Sequence, residues 1–188
     1  SPSSDLGRLR EALEREWGLT GLAVDDHVLP GLQTALRAGD WRVTVAVHDE
    51  AVITGVRAGF QDTAYGIAFD IGSTTVAGQL CDLASGDVLA VSGAMNPQIR
   101  FGEDLMSRVS YVMMNPGSET LLTEAARSCV DELIADLCMQ VDADPTDVLA
   151  LIVVGNPIMH HLFLGLDPTE LGGAPFALAT DGAVHRRA

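Results

Sequence analysis

The stretch Phe69-Asp70-Ile71-Gly72-Ser73-Thr74-Thr75 determines how most of this chain is interpreted. An acidic residue ends a strand-like run, and Gly72 then lets the backbone turn tightly and approach a ligand. Three hydroxyl residues follow, and their backbone N–H groups can line a small anion-binding concavity. A carboxylate beside such a turn can hold hydrated Mg²⁺ through water, so Asp70 is a candidate magnesium-binding residue. An ordinary polar β-turn would use the same residue types, and the P-loop pattern G-x-x-x-x-G-K-[ST] is absent.

Hydrophobic patterns around this stretch predict an α/β domain with the element order βββ-α-α-β-α. The three strands form consecutive hairpins, and the quoted stretch is the turn between the first two. The second helix is the clearest prediction, because its apolar residues recur at the 3.6-residue period. The predicted elements are, in chain order, Tyr65 to Asp70, Thr75 to Leu83, Val88 to Ser92, Phe101 to Met114, Ser118 to Gln140, Val148 to Val154 and Ile158 to Leu164.

A polar segment from Gly59 to Thr63 predicts a domain boundary. Residues 1–62 are predicted to form a small α/β domain, in which two helices pack on one β-hairpin. Residues 63–188 are predicted to form the first, incomplete part of a second α/β domain. Residues 1–62 contain no convincing chemical site, so the candidate function lies in the second part.

The composition favours a packed protein and argues against two classes of partner. Hydrophobic residues make up 47% of the 188 residues, which is enough for a core. No apolar run reaches the roughly 18 residues of a membrane-spanning helix, and the N-terminus does not resemble a secretory signal. We therefore expect a cytoplasmic protein with no membrane contact. A net charge of −15 with scattered basic residues argues against nucleic-acid binding.

The cysteine content argues against an iron–sulfur cluster held by this chain alone. Cys81, Cys129 and Cys138 are widely spaced and form no C-x-x-C pair. An ordinary cluster requires four thiolates, and only three are present. An odd number of thiols fits a reducing compartment, and buried structural roles are their simplest use.

Polar residues that follow the third predicted strand are candidates for the cleft or for a partner. Asn96 and Gln98 can shape the loop or contact a ligand. Glu103, Asp104 and Arg108 lie one helical turn apart at the start of the next predicted helix. These residues could contact a ligand or a partner in the cleft, or they could only complement the helix dipole and form a local ion pair. For Arg108 we favour the local interpretation, and for Glu103 and Asp104 both stay open.

A turn and a histidine pair follow the fourth predicted strand. Asn156 is predicted to cap the next helix, and it is also a candidate for facing the cleft. His160 and His161 point about 100° apart on a helix, and no further Cys or His is close in sequence, which disfavours a shared metal ion. His160 is a candidate for the cleft or a partner, with capping and packing as the alternative.

A hydroxyl-rich turn between the first two of three hairpin strands resembles the phosphate-1 element of the actin, sugar-kinase and heat-shock-chaperone superfamily of ATPases. The resemblance implies an actin-like (ribonuclease H-like) ATPase lobe. It implies ATP and Mg²⁺ as cofactors, with Asp70 as the catalytic residue that holds the metal through water. The residues that it assigns to the nucleotide phosphates are Gly72, Ser73, Thr74 and Thr75.

Two further motifs narrow the resemblance. Asn96-Pro97-Gln98-Ile99-Arg100-Phe101-Gly102-Glu103-Asp104 follows the third strand, and Val154-Gly155-Asn156-Pro157-Ile158-Met159-His160-His161 follows the fourth. Together with the turn they resemble the reductive activators of corrinoid-dependent methyltransferases, from about Asp40 to Phe176. The resemblance implies that ATP drives the return of an inactivated Co(II) corrinoid, on a partner protein, to Co(I). It also implies that an N-terminal [2Fe–2S] domain, a linker and a middle domain precede the ATPase domain in the parent protein. Residues 1–62 would then be the middle or linker domain, and residues 63–188 the incomplete first part of the ATPase domain. The electron donor would act through the iron–sulfur domain, which this chain lacks.

Two other functions stay open at this point. A small-molecule kinase of the same superfamily would need a catalytic base facing the γ-phosphate, and no unambiguous base is found. A non-catalytic module that only docks on the corrinoid protein would need no turnover. The second phosphate motif and the adenosine motif of the superfamily are not found, so we expect residues 1–188 alone to be inactive. A homodimer and the methyltransferase system that is served also stay open.

Overall fold

The chain folds into two compact units. The structure is a computed structural model that describes residues 4–185, and the units are Ser1–Thr63 and Ala64–Ala188. Each unit has a buried hydrophobic core of its own, one around Ile53 and one around Leu80. Among residues 4–185, none of the helices combines the length and the hydropathy that crossing a membrane requires.

The first unit consists of two helices and a three-stranded sheet. Its elements are α1 (Asp5–Trp17), β1 (Ala23–Val24), α2 (Val28–Ala38), β2 (Val43–His48) and β3 (Val52–Ala58). Strands β2 and β3 form the predicted hairpin, and the order in the sheet is β1-β3-β2. Strand β1, which pairs in parallel with β3, was not predicted, because two residues are too few to show a period.

The second unit has the predicted order βββ-α-α-β-α, which the structure confirms. Strands β4, β5 and β6 are antiparallel neighbours, and β7 pairs in parallel with β4, so the order in the sheet is β6-β5-β4-β7. The elements are β4 (Tyr65–Ile71), β5 (Thr75–Asp82), β6 (Val88–Met95), α3 (Leu105–Met114), α4 (Glu119–Gln140), β7 (Val148–Gly155) and α5 (Pro157–Leu164), with 3₁₀ turns at Pro97–Phe101, Pro145–Asp147 and Thr169–Gly172.

The core of the second unit lies on one face of its sheet. Strand β4 alternates, so that Ile67 and Phe69 are buried while Ala68 and Asp70 are exposed. Helix α4 packs on the buried face, and its Leu122 and Leu137 are fully buried in the same core. The Asp70 side chain therefore projects from the opposite face, at the end of a strand in the middle of the sheet.

The predicted start of helix α3 at Phe101 is wrong. Residues Pro97–Phe101 instead form a short 3₁₀ turn, and α3 begins at Leu105. Asp104 has an extended backbone, and its carboxylate forms a capping box with Ser107, which defines the start of the helix. Gly102 is needed before it, since a Cβ there would lie 2.7 Å from the Arg108 amide nitrogen.

Candidate functional site

The candidate site is the turn of residues 72–74 between β4 and β5. The Gly72 N–H closes the turn by donating to the Thr75 carbonyl at 2.9 Å. A Cβ at residue 72 would lie 2.9 Å from the same carbonyl oxygen, so a side chain fits poorly at this position. The structure brings the predicted carboxylate and the three hydroxyl residues together at this one end of the sheet.

Two buried side chains hold successive carbonyls of the turn from the inside. Asn96 Nδ2 donates to the Gly72 carbonyl at 2.8 Å, and Arg108 Nη2 donates to the Ser73 carbonyl at 2.5 Å. The Asn96 backbone N–H also donates to the Thr74 carbonyl at 2.7 Å. Every carbonyl of residues 72–74 therefore has an internal partner.

Anchored carbonyls determine where the amides of the turn point. In a planar trans peptide the C=O and N–H point in opposite directions. With the Gly72 and Ser73 carbonyls directed inward, the N–H groups of Ser73 and Thr74 are directed away from the core. Within residues 4–185, neither amide donates a hydrogen bond, and the hydroxyls of residues 73–75 have no hydrogen-bond partner either. Two adjacent outward amides with neighbouring hydroxyls form an arrangement that suits phosphate oxygens.

The local ion pair expected for Arg108 is wrong. Arg108 is fully buried, and among the described residues it forms no salt bridge. Its guanidinium donates to neutral acceptors: the Ser73 and Gly102 carbonyls, the latter at 3.0 Å, and Gln98 Oε1 at 3.3 Å. Burial lowers the pKa of the guanidinium and the Asp104 carboxylate opposes that shift, but arginine stays protonated at neutral pH.

Helical spacing contained a signal for this burial. Arg108 lies four residues before Val112, and both belong to the buried stripe of α3. An arginine in an apolar stripe indicates burial against polar acceptors. Sequence reasoning gave more weight to the neighbouring carboxylates.

Asn96 and Gln98 are both fully buried and support the turn from behind. Besides its contact with Arg108, the Gln98 side chain donates to the Leu122 carbonyl of α4 at 2.9 Å. Asn96 also caps the 3₁₀ turn, because its Oδ1 accepts the Gln98 N–H at 3.0 Å. The structure therefore places these two candidates as supports of the turn and not on its exposed side.

Glu103 and Asp104 are exposed, and only Asp104 has a visible structural role. Its Oδ1 accepts the Ser107 N–H at 2.7 Å and the Ser107 hydroxyl at 2.8 Å. These hydrogen bonds, the backbone one first, hold the pKa of the Asp104 carboxyl below its ordinary value. The structure thus shows Asp104 as the cap of α3.

Asn156 lies beside the candidate turn. Parallel pairing matches Ile71 with Gly155, so the ends of β4 and β7 are adjacent and Asn156 follows directly. Its Oδ1 accepts the Met159 N–H at 3.0 Å, which caps α5 as predicted. His160 is half-buried on the same helix.

His161, and not His160, is the buried histidine of the pair. The backbone N–H of Ala179 points at its Nε2 at 3.0 Å, and Nδ1 lies 2.8 Å from the Pro157 carbonyl. An amide can only donate, so Nε2 accepts and Nδ1–H donates. This pairing defines a neutral tautomer with a structural role.

The described residues do not offer a site for a resident metal or cluster held by protein ligands alone. Within residues 4–185 no group of three or more His, Cys, Asp or Glu residues is placed to bind a metal ion. All three cysteines are free, and burial raises the pKa of the Cys129 and Cys138 thiols, which favours the unreactive protonated form. The three cysteines therefore do not fit a [2Fe–2S] cluster in this chain.

Comparison with known proteins identifies the family. The family models described as RACo linker region and RACo middle region match residues 1–63 and 65–188. The family's linker region therefore corresponds to the first unit, and its middle region corresponds to the second. A corrinoid activation enzyme, RamQ, from Eubacterium limosum is 43% identical over 112 residues, which are 60% of this chain and 19% of that enzyme.

A solved structure of a reductive activator for a corrinoid, iron–sulfur protein matches with a TM-score of 0.77 and 36% identity. The match covers 95% of this chain and 29% of the activator, so the chain spans less than a third of the length of either relative. Because the two family models together match nearly every residue, the chain belongs to the RACo family and carries its linker and middle regions.

Proposed function

We propose that this chain is part of an ATP-dependent reductive activator, which returns an inactivated Co(II) corrinoid on a partner protein to Co(I). Membership of the RACo family and the likeness to two activators of corrinoid systems support the reaction. The observation in this chain that carries the proposal is the turn of residues 72–74. Its outward amides and free hydroxyls suit the phosphates of ATP.

The role of each residue follows from its position. The amides of Ser73 and Thr74 and the hydroxyls of residues 73–75 would bind phosphate oxygens, and Asp70 would hold Mg²⁺ through water. ATP supplies the free energy for an otherwise unfavourable reduction. The electron would come from an iron–sulfur centre outside this chain, in agreement with its cysteines. None of these residues is required to form a covalent bond.

Residues 1–188 alone should turn over ATP slowly or not at all. The described residues offer phosphate contacts from one turn only, and a closed, dry cleft needs contacts from opposing sides. The measurement is phosphate release by purified residues 1–188 with Mg·ATP. Robust release that Asp70→Ala abolishes would contradict this expectation.

The decisive experiment uses the complete natural polypeptide, its corrinoid protein and a reductant. Co(I) formation is followed by absorbance with and without Mg·ATP. We expect a strict requirement for Mg·ATP and a loss of about 100-fold or more in rate with Asp70→Asn, since a misplaced metal removes electrostatic stabilisation. Asp87→Asn, in an exposed turn away from the site, is the matched control and should behave as the wild type.

Other outcomes of this experiment would support the rival functions. Co(I) formation that ignores ATP while the corrinoid protein is still bound would indicate a docking module. Transfer of phosphate to a small acceptor, without any corrinoid protein, would indicate a kinase.

A further inference from the structure

The orientation of the Ser73–Thr74 peptide depends on one side chain. The Ser73 carbonyl accepts its hydrogen bond from Arg108 Nη2, and this contact directs the Thr74 N–H outward. The preceding peptide is oriented in the same way by the neutral amide of Asn96. A neutral side chain is therefore sufficient to orient a peptide of this turn. The positive charge of Arg108 is not needed for orientation alone.

The charge of Arg108 is not neutralised by its direct partners. Its four contacts are two backbone carbonyls, the Gln98 amide oxygen and the Met159 sulfur at 3.5 Å. The nearby Asp104 carboxylate is directed to Ser107 at the helix start. A buried cation with only neutral acceptors is costly, and an anion in the adjacent turn would offset that cost.

The hydrogen bond from Arg108 to the Ser73 carbonyl also makes the Thr74 N–H a stronger donor. A carbonyl that accepts a hydrogen bond from a cation is polarised, and the N–H of the same peptide group becomes a stronger donor. In a medium of low dielectric constant, the guanidinium also attracts a bound anion across one peptide thickness. Both effects grow with the negative charge of the ligand.

We propose that Arg108 is the positioning residue of this turn, which aims the Thr74 N–H at a bound polyphosphate and places a buried positive charge behind it. The inference rests on the proposed function, because it concerns the same phosphate site. It predicts that the site selects anions by their charge and not only by their shape.

The test uses residues 1–188, backbone-amide NMR and two probes, inorganic phosphate and inorganic tripolyphosphate. In the unmodified chain, the Ser73 and Thr74 amide signals should shift with both probes, and tripolyphosphate should bind more tightly. Arg108→Gln has no charge, and its amide nitrogen takes the place of Nε, within reach of the Gly102 carbonyl but two bonds short of the Ser73 carbonyl. Tripolyphosphate affinity should therefore fall at least about tenfold. The preference for tripolyphosphate over phosphate should shrink as well. A role limited to structure would weaken both probes equally.

Arg108→Lys and Arg100→Gln complete the design. Arg108→Lys keeps the charge without the planar fork, so its affinity should lie between those of the wild type and Arg108→Gln. If Arg108→Gln does not fold by circular dichroism, Arg108→Lys carries the test with an expected loss of at least about threefold. Arg100→Gln removes an equal charge from an exposed position and should change the affinity less than about twofold.

Each contrary result has a distinct meaning. Wild-type affinity in folded Arg108→Gln, or an equal loss with Arg100→Gln, overturns the role of Arg108 but leaves the phosphate site of the proposed function intact. No shift of the Ser73 and Thr74 amides in the unmodified chain overturns both. Equal weakening of the two probes by Arg108→Gln overturns the role of its charge.

Discussion

The adjacent histidines of α5 have different structural roles. The His161 ring is buried between the Pro157 carbonyl and the Ala179 N–H, and it connects the helix to the segment that follows it. The His160 ring is half-buried and meets His161 edge-on, with ring centroids 6.1 Å apart. Among the described residues, only the His161 ring forms hydrogen bonds with two backbone groups.

Replacing each histidine by asparagine should separate these roles. His161→Asn shortens a fully buried side chain and loses the ring contacts with the Pro157 carbonyl and the Ala179 N–H, so we expect a loss of about 1–3 kcal/mol in the free energy of unfolding. His160→Asn is the matched control, with an expected change below about 0.5 kcal/mol. Urea unfolding followed by circular dichroism measures both, and equal losses in the two variants would contradict the assignment.

At the scale of an element, the start of α3 depends on the charge state of Asp104. The folded-state pKa of this carboxyl lies below the ordinary value of 3.8, because the Ser107 amide and hydroxyl donate to the ionised form. Because the pKa of Asp104 is lower in the folded state, the ionised cap stabilises the folded state at pH values above the pKa of the unfolded state. That contribution disappears as the pH falls through the lower, folded-state value.

Asp104→Asn should therefore destabilise the second unit in a pH-dependent way. Asparagine keeps an acceptor for the cap, so the variant removes mainly the charge. The difference in free energy of unfolding from the wild type should be constant above about pH 5 and shrink below pH 3.8. Urea titrations between about pH 3 and 7 measure it.

Glu103→Gln is the matched control for this titration. It removes a neighbouring exposed carboxylate that caps no helix. A difference for Asp104→Asn that does not change with pH, or the same curve in both variants, would contradict an electrostatic role of the cap.

At the scale of the whole molecule, two separate cores predict two unfolding transitions. Both tryptophans of the chain, Trp17 and Trp41, belong to the first unit. Tryptophan fluorescence therefore reports on residues 1–63, whereas far-ultraviolet circular dichroism reports on both units. Ile53 is fully buried in the core of the first unit.

Ile53→Val should lower the midpoint of the first unit's transition, which both fluorescence and circular dichroism detect, and leave the second unit's transition unchanged. Removing one buried methylene costs about 0.5–1.5 kcal/mol, and the second unit contains none of the altered contacts. Leu80→Ala, in the core of the second unit, is the reciprocal variant. It should shift only the second unit's transition, which circular dichroism detects and tryptophan fluorescence does not. A single transition shared by both signals, shifted by either variant, would show that the chain unfolds as one cooperative unit.

Local patterns were sufficient for most of the fold. Alternating strands, the 3.6-residue period of α4 and the small residues of the turn at 72–74 each depend on neighbours in sequence. The predicted order of the second unit is therefore confirmed. The predictions failed where no local period exists, as in the two-residue β1, or where a cap and a short 3₁₀ turn preceded the helix, as at residues 97–104.

The sequence by itself determined the element order, the position of the turn and the residue types that suit phosphate. Only the tertiary structure decided the role of Arg108, because its acceptors come from Ser73, Gln98 and Gly102 on other segments. A charged side chain can be buried only where the fold supplies enough polar atoms, and no local pattern shows where distant carbonyls will lie. The turn at 72–74 is thus visible in the sequence, but the direction of its amides is decided by residues that the fold places behind it.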